Sequence, residues 1–131
     1  MGMHELNQVR DIALALPDVS EKAGPGGAIC FFIHNKKTLC YYHDNHHNGR
    51  VSLWCPAYSD LKEDLVRNKP EQFFQPQTSS AGHFSEWLGI YLDTIGENSV
   101  NWELIAKILE DAYRKVAPKR LINNWDVMMR V

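Results

Sequence analysis

No apolar run approaches the length of a membrane-spanning helix, and the first residues carry no signal-peptide pattern. A soluble, cytoplasmic chain with no membrane partner is therefore expected. Neither charge dominates: 14 Lys and Arg stand against 16 Asp and Glu, a formal net charge of −2. That balance excludes a strongly basic nucleic-acid protein, though not a local basic patch. Cysteine is scarce. The 3 thiols, Cys30, Cys40 and Cys55, are odd in number and lack C-x-x-C spacing. This speaks against a disulfide framework and a cysteine-rich zinc site. All of them fall inside apolar runs, so reduced thiols in a core are expected. The chain also lacks internal repeats, low-complexity tracts and any linker.

Motifs of catalysis are missing as well. There is no G-x-S-x-G elbow, Walker loop or G-x-G-x-x-G. Gly24-Pro25-Gly26-Gly27 lacks the Lys and Ser/Thr of a phosphate loop and precedes a strand-like run rather than a helix. His83, Ser85 and Glu86 are close in sequence, but a triad is assembled in space, and this spacing carries no argument. The expectation is a non-enzymatic protein without a cofactor.

What the sequence does contain suits one domain spanning 1–131. Hydrophobic residues are 44% and charged residues 23% of its 131 positions, a globular balance. Leu6, Val9, Ile12, Ala13 and Leu16 recur at helical spacing from His4 to Leu16, and Pro17 ends that helix. Glu21 to Gly27 reads as a loop. Ala28 to His34, Thr38 to His43 and Arg50 to Cys55 read as three strands. Turns at Asn35-Lys36-Lys37 and in the polar segment 44–49 would join them into an antiparallel meander. Pro56 stops the sheet. Asp60 with Glu63 suggests a capped short helix turning Leu61 and Leu65 inward. Phe73-Phe74 would plug the core from a turn. Glu86 to Asp93 alternates as a later strand. Asn101 is an N-cap for a long helix, Trp102 to Ala117, which buries Trp102, Ile105, Leu109, Ala112 and Val116. Asn124 to Val131 reads as a short helix or a docked tail. The order gives an α+β fold: an antiparallel sheet, meander plus later strand, packed with the N-terminal and long C-terminal helices.

Period-two alternation divides the strands into two faces. Ile29, Phe31, Ile33, Leu39, Tyr41, Val51, Leu53, Leu88, Ile90 and Leu92 form one set, which the helices are expected to cover. Cys30, Phe32, His34, Cys40, Tyr42, Ser52, Trp54, Trp87 and Tyr91 form the other. An aromatic sheet face can stack nucleobases or line a small-ligand site, for which Trp54, Trp87, Tyr42, Tyr91 and His83 are the candidates. The plain reading is that the tail with Trp125, Met128 and Met129, or a second subunit, covers it.

Two polar clusters complete the inventory. His43, Asp44, His46 and His47 have the ligand types of a zinc, copper or nickel site, but adjacent His46 and His47 point apart on an extended loop. The alternative is a polar, His-rich hairpin loop. Near the C-terminal end, Arg114, Lys115, Lys119 and Arg120 lie in a stretch, 112–125, free of acidic residues. Glu110 and Asp111 sit four residues before Arg114 and Lys115 and would pair with them. That leaves Lys119 and Arg120 as the stronger phosphate contacts, with Arg50, Lys36 and Lys37 available to extend the patch.

Several stretches, taken in order, carry a resemblance. They are Leu16-Pro17-Asp18-Val19-Ser20-Glu21, Gly49-Arg50-Val51-Ser52-Leu53-Trp54-Cys55 and Lys69-Pro70-Glu71-Gln72-Phe73-Phe74. They continue with Gly82-His83, Trp87-Leu88-Gly89-Ile90-Tyr91-Leu92-Asp93, Ala112-Tyr113-Arg114 and Ala117-Pro118-Lys119-Arg120-Leu121. Together they resemble the MmcQ/YjbR family from about Val9 to Ile122. The segment Tyr41 to Arg50 looks like one subgroup of it. The resemblance implies an α+β layout similar to bacterial frataxin and a DNA-binding label, by analogy with a double-wing arrangement. It implies no catalytic residues. The expected function is weak, salt-sensitive DNA binding through Arg114, Lys115, Lys119, Arg120 and Arg50. A small-ligand, metal or protein-interaction module, self-association included, is the alternative.

Overall fold

The computed structural model describes residues 3–24, 27–44, 49–77, 82, 84–94 and 99–129. Its elements run α1 (Met3–Ala13), β1 (Val19–Ala23), β2 (Ile29–Ile33), β3 (Lys37–Asp44), β4 (Val51–Pro56), α2 (Ser59–Asn68), β5 (Phe73–Phe74), β6 (Trp87–Tyr91), α3 (Trp102–Val116) and α4 (Lys119–Met129). The strands form one antiparallel sheet in the order β1-β2-β3-β4-β6-β5. The expected α+β architecture is present, enlarged by two strands. β1 lies partly in the stretch read as a loop, and Phe73 fills the core as expected but from a short edge strand rather than a turn.

The β2–β3 connection shows why this chain reverses where it does. His34 and Asn35 both have positive φ, 53° and 55°, and Lys36 N donates to Ile33 O at 3.0 Å. Positive φ at both central positions is the turn geometry that matches strand twist, and Asn and His tolerate it better than most residues. The reversal thus centres on His34-Asn35, one position earlier than Asn35-Lys36-Lys37 suggests. Asp18, at φ 59°, accepts from His34 N at 2.8 Å through its carbonyl oxygen. Its carboxylate meets His34 Nδ1 at 2.6 Å. Both interactions lock β1 onto this turn.

The sheet register corrects one face assignment. Pairs Tyr42↔Leu53 and Leu53↔Ile90 put Tyr42 among the core residues, while Tyr41↔Trp54 puts Tyr41 on the other face. A bulge between Phe31 and Phe32, opposite Cys40 and Thr38, shifts the alternation of β3 by one residue. Cys40 and Tyr42 are accordingly buried against the helices. Tyr42 is therefore removed from the candidate ligand-binding set.

The core face carries Phe31, Leu53, Leu88 and Ile90, all essentially without solvent contact, and α3 covers it with Ile105, Ile108, Leu109 and Tyr113. Tyr113 Oη donates to Pro17 O at 2.9 Å, tying α3 to the α1–β1 link. A paired ion contact, Arg10 to Glu21 at 2.8 Å, joins α1 to β1. The Arg10 hydrogen bond holds the Glu21 carboxyl below its ordinary value. Asn101 caps α3 as expected, its Oδ1 accepting from Glu103 N and Leu104 N. Asp60 does not cap α2: Tyr58 holds the N-cap position without a side-chain bond, and Asp60 lies in the first turn. α1 ends at Ala13, three residues short of the expected Leu16.

The C-terminal segment is a helix, and it packs behind α3 rather than on the second sheet face. Trp125 lies edge-on to Tyr113 at 5.2 Å and beneath the Arg114 guanidinium at 4.6 Å. Val127, Met128 and Met129 are exposed. As far as it is described, to Met129, the tail therefore does not cover the aromatic face.

Candidate functional site: the aromatic sheet face and its lysine border

Facing away from α3, strands β3, β4, β5 and β6 present Tyr41, His43, Trp54, Phe74, Trp87 and Tyr91. Their rings touch in a closed circuit. His43 meets Trp54 at 4.5 Å, Trp54 meets Phe84 at 5.4 Å and Phe84 meets Trp87 at 5.1 Å. Trp87 stacks on Tyr41 at 5.5 Å with 16° between the planes, and Tyr41 returns to His43 at 6.2 Å. Phe74 extends the circuit to Tyr91 at 4.5 Å. Such stacked and edge-to-face pairs contribute about 0.5–1.5 kcal/mol each beyond their buried area.

Two details explain how the rings fit. A Cβ at Gly89 would come within 2.3 Å of the Phe74 ring, so the missing side chain makes room for that ring over the sheet. Phe84 reaches the face from a loop at φ 68°, a region bulky residues avoid. Its carbonyl accepts from Gln75 Nε2 at 2.8 Å, and its ring lies against Tyr41, Trp54 and Trp87. Phe84 and Phe74 were not singled out from the sequence as face residues. Alternation cannot reveal a loop ring, and a two-residue strand has no period to read.

Trp87 borders two adjoining shallow depressions. One, of about 370 Å³, is walled by Tyr41, Phe84 and Trp87 with Gly82, Ser85 and Glu86. The other, of about 380 Å³, is lined by Lys36, Lys37, Thr38, Glu86 and Lys115 together with Trp87. Both volumes fall near the lower end of the roughly 300–1,000 Å³ found for small-molecule sites. The Lys115 ammonium lies 3.6 Å from Glu86 Oε1 and 5.1 Å from the Tyr58 ring centre. Lys36 and Lys37 are exposed on the hairpin turn and at the first residue of β3.

Three of the five cations expected to contact phosphate stand beside carboxylates. Arg50 is held by Asp93, Nη2 to Oδ1 at 2.8 Å, and lies 3.9 Å over the Tyr91 ring. Burial would raise the Asp93 carboxyl. The Arg50 hydrogen bond, the Val51 amide and the Arg50 charge together outweigh it and leave that carboxyl lowered. Arg114 pairs with Asp126 at 2.9 Å and with Glu110 at 3.8 Å. Lys115 takes Glu86 instead of the expected Asp111, which pairs with Lys107 at 3.8 Å. Lys119 and Arg120 stand exposed in the first turn of α4 with no ion pair to a described residue.

The histidine reading divides. His43 belongs to the aromatic face, while Asp44, one residue on, pairs with Val51 on the opposite face. His46, His47 and His83 lie outside the described residues. Among the described residues, no group of three or more His, Cys, Asp or Glu converges to hold a metal. The three thiols are buried and free. Burial raises each of them, Cys55 to about 12 and Cys40 well above its ordinary value. That is the reverse of an activated thiolate. No helix among the described residues is long and apolar enough to cross a membrane.

The family model described as YjbR matches residues 14–115. Among solved structures, the chain is similar to the crystal structure of Deinococcus radiodurans protein DR2400, described with a DUF419 domain. The identity is 16% and the TM-score 0.66, over 82% of this chain and 75% of that one. At that identity the likeness speaks for the fold. No curated protein matches the sequence. A family model spanning well over half of the chain, joined to the same sheet-and-helix layout, places this protein in the YjbR family.

Proposed function

We propose that the chain binds single-stranded DNA on its aromatic sheet face, without catalysing a reaction. The observation that carries this reading is Trp87, the shared wall between a depression lined by Tyr41 and Phe84 and a groove lined by Lys36, Lys37 and Lys115. Unpaired bases stack on aromatic rings, and neighbouring cations meet the backbone, so an aromatic surface bordered by lysine suits a single strand. A duplex hides its base faces and rewards many phosphate contacts, which a chain of net charge −2 with Arg50, Arg114 and Lys115 already beside acids supplies poorly. The three thiols offer no activated nucleophile, since their burial disfavours the thiolate.

The test is fluorescence anisotropy with a labelled single strand and its duplex at about 20 and 200 mM salt. Saturable single-strand binding is expected, with log affinity falling by about 0.7 per phosphate contact per log unit of salt, or roughly a hundredfold for three contacts. Trp87→Ala should weaken binding by about 5- to 150-fold, the loss of one stacked base. Failure of both strands to bind at low salt would overturn the proposal. Binding that survives Trp87→Ala but is lost in Lys119→Glu/Arg120→Glu would move the contact surface to the start of α4.

A further inference from the structure

We infer that the lysine groove beside Trp87 is a seat for a terminal phosphomonoester, so that the preferred ligand is a phosphorylated strand end. This rests on the single-strand reading above and adds to it which part of the strand sits where. Three lysines, Lys36, Lys37 and Lys115, and one acid, Glu86, line the groove, a net of two positive charges among its lining residues. An internal phosphodiester brings one negative charge. A terminal phosphomonoester brings about 1.5–2 at neutral pH and three acceptor oxygens, and so matches the groove better. Thr38 adds a hydroxyl donor to the same wall.

Glu86 sharpens the selection. Its side chain is 69% exposed, while that of Lys115, 3.6 Å away, is 20% exposed. The carboxylate is thus a displaceable anion on an otherwise well-held lysine. A monoanionic phosphodiester competes with it on nearly even terms, whereas a dianion does so with twice the charge. Trp87 lines both the groove and the adjoining depression, and its stacked neighbour Tyr41 lines the latter. A terminal nucleotide can therefore place its phosphate among the lysines and its base toward these rings.

The experiment compares one short single strand, labelled at an internal base, with a free hydroxyl at both ends, with a 5′-phosphate, and with a 3′-phosphate. One phosphorylated form is expected to bind about tenfold more tightly than the dephosphorylated strand, the scale of added hydrogen bonds to a charged group. The preferred form identifies the strand end. The preference should shrink at pH 5.5, below the second phosphate pKa of about 6. It should vanish in Lys36→Ala/Lys37→Ala, whose positions are exposed, and grow in Glu86→Gln. Equal affinity for all three strands at neutral pH would overturn the phosphate seat and leave single-strand binding standing. Binding by none of them would remove both.

Discussion

The two faces of one sheet have been built to different ends. The face under α3 is filled by Phe31, Leu53, Leu88 and Ile90, none with appreciable solvent contact. The other face is built of rings, and most of them remain half-buried: Tyr41, His43, Phe74, Phe84, Trp87 and Tyr91. Apolar side chains without polar atoms gain most from complete removal from water. Tyr, Trp and His keep a polar edge and are suited to a surface that is partly wet. The first face thus supplies the buried apolar core, and the second keeps its rings partly open to solvent.

Truncation on the core face should break this comparison most heavily. Phe31→Ala is expected to cost about 3–5 kcal/mol, because a fully buried ring leaves a cavity. Urea denaturation would register it as a lowered midpoint with an unchanged slope. A cost under about 1 kcal/mol would mean that Phe31 is not packed as described.

Gly89→Ala probes the junction of the two faces. Its new methyl would meet the Phe74 ring and should cost about 1–3 kcal/mol through forced repacking. Pairing it with Phe74→Ala, which removes the obstructing ring, should recover part of that loss relative to Phe74→Ala alone. Strict additivity of the two changes would show that the ring is not the obstacle.

Trp87→Ala separates stability from binding. The loss of its stack on Tyr41 should destabilise by about 1 kcal/mol, while single-strand affinity falls by about 1–3 kcal/mol. Thermal melting and anisotropy on the same variant would show whether the second face serves the ligand more than the fold.

The smallest effect belongs to the ion pairs at the rims. Glu21 and Asp93 have folded values below their ordinary ones. Their contribution is present above the unfolded carboxylate range near pH 4 and is lost as pH falls through the lowered folded values. Each pair is partly exposed, so the effect should stay below about 1 kcal/mol. Asp93→Asn should flatten its share of the acid slope in urea midpoints measured between about pH 7 and 3.

Much of the candidate site was legible from alternation alone. Trp54 and Trp87 could be placed on a common face because β4 and β6 are regular. Tyr41 and Tyr42 exchanged roles because a bulge is invisible to a period of two and inverts every residue beyond it. The partners of the cations were legible only in part. Local spacing gives i,i+4 partners such as Glu110 for Arg114, but Asp93 lies 43 residues from Arg50, and no local rule finds it.

The sequence by itself determined the long helix with its Asn101 cap, the meander and most of the split into an aliphatic and an aromatic set, since these follow from periodicity, turn chemistry and burial preference within a few residues. Tertiary structure alone decided that α4 docks on α3 and leaves the aromatic face uncovered. It also decided that Phe84 folds over Trp54, and that Lys36, Lys37 and Lys115 line one groove together with Trp87. Those outcomes depend on distances between residues far apart in the chain, which only the closed sheet and its packed helices fix.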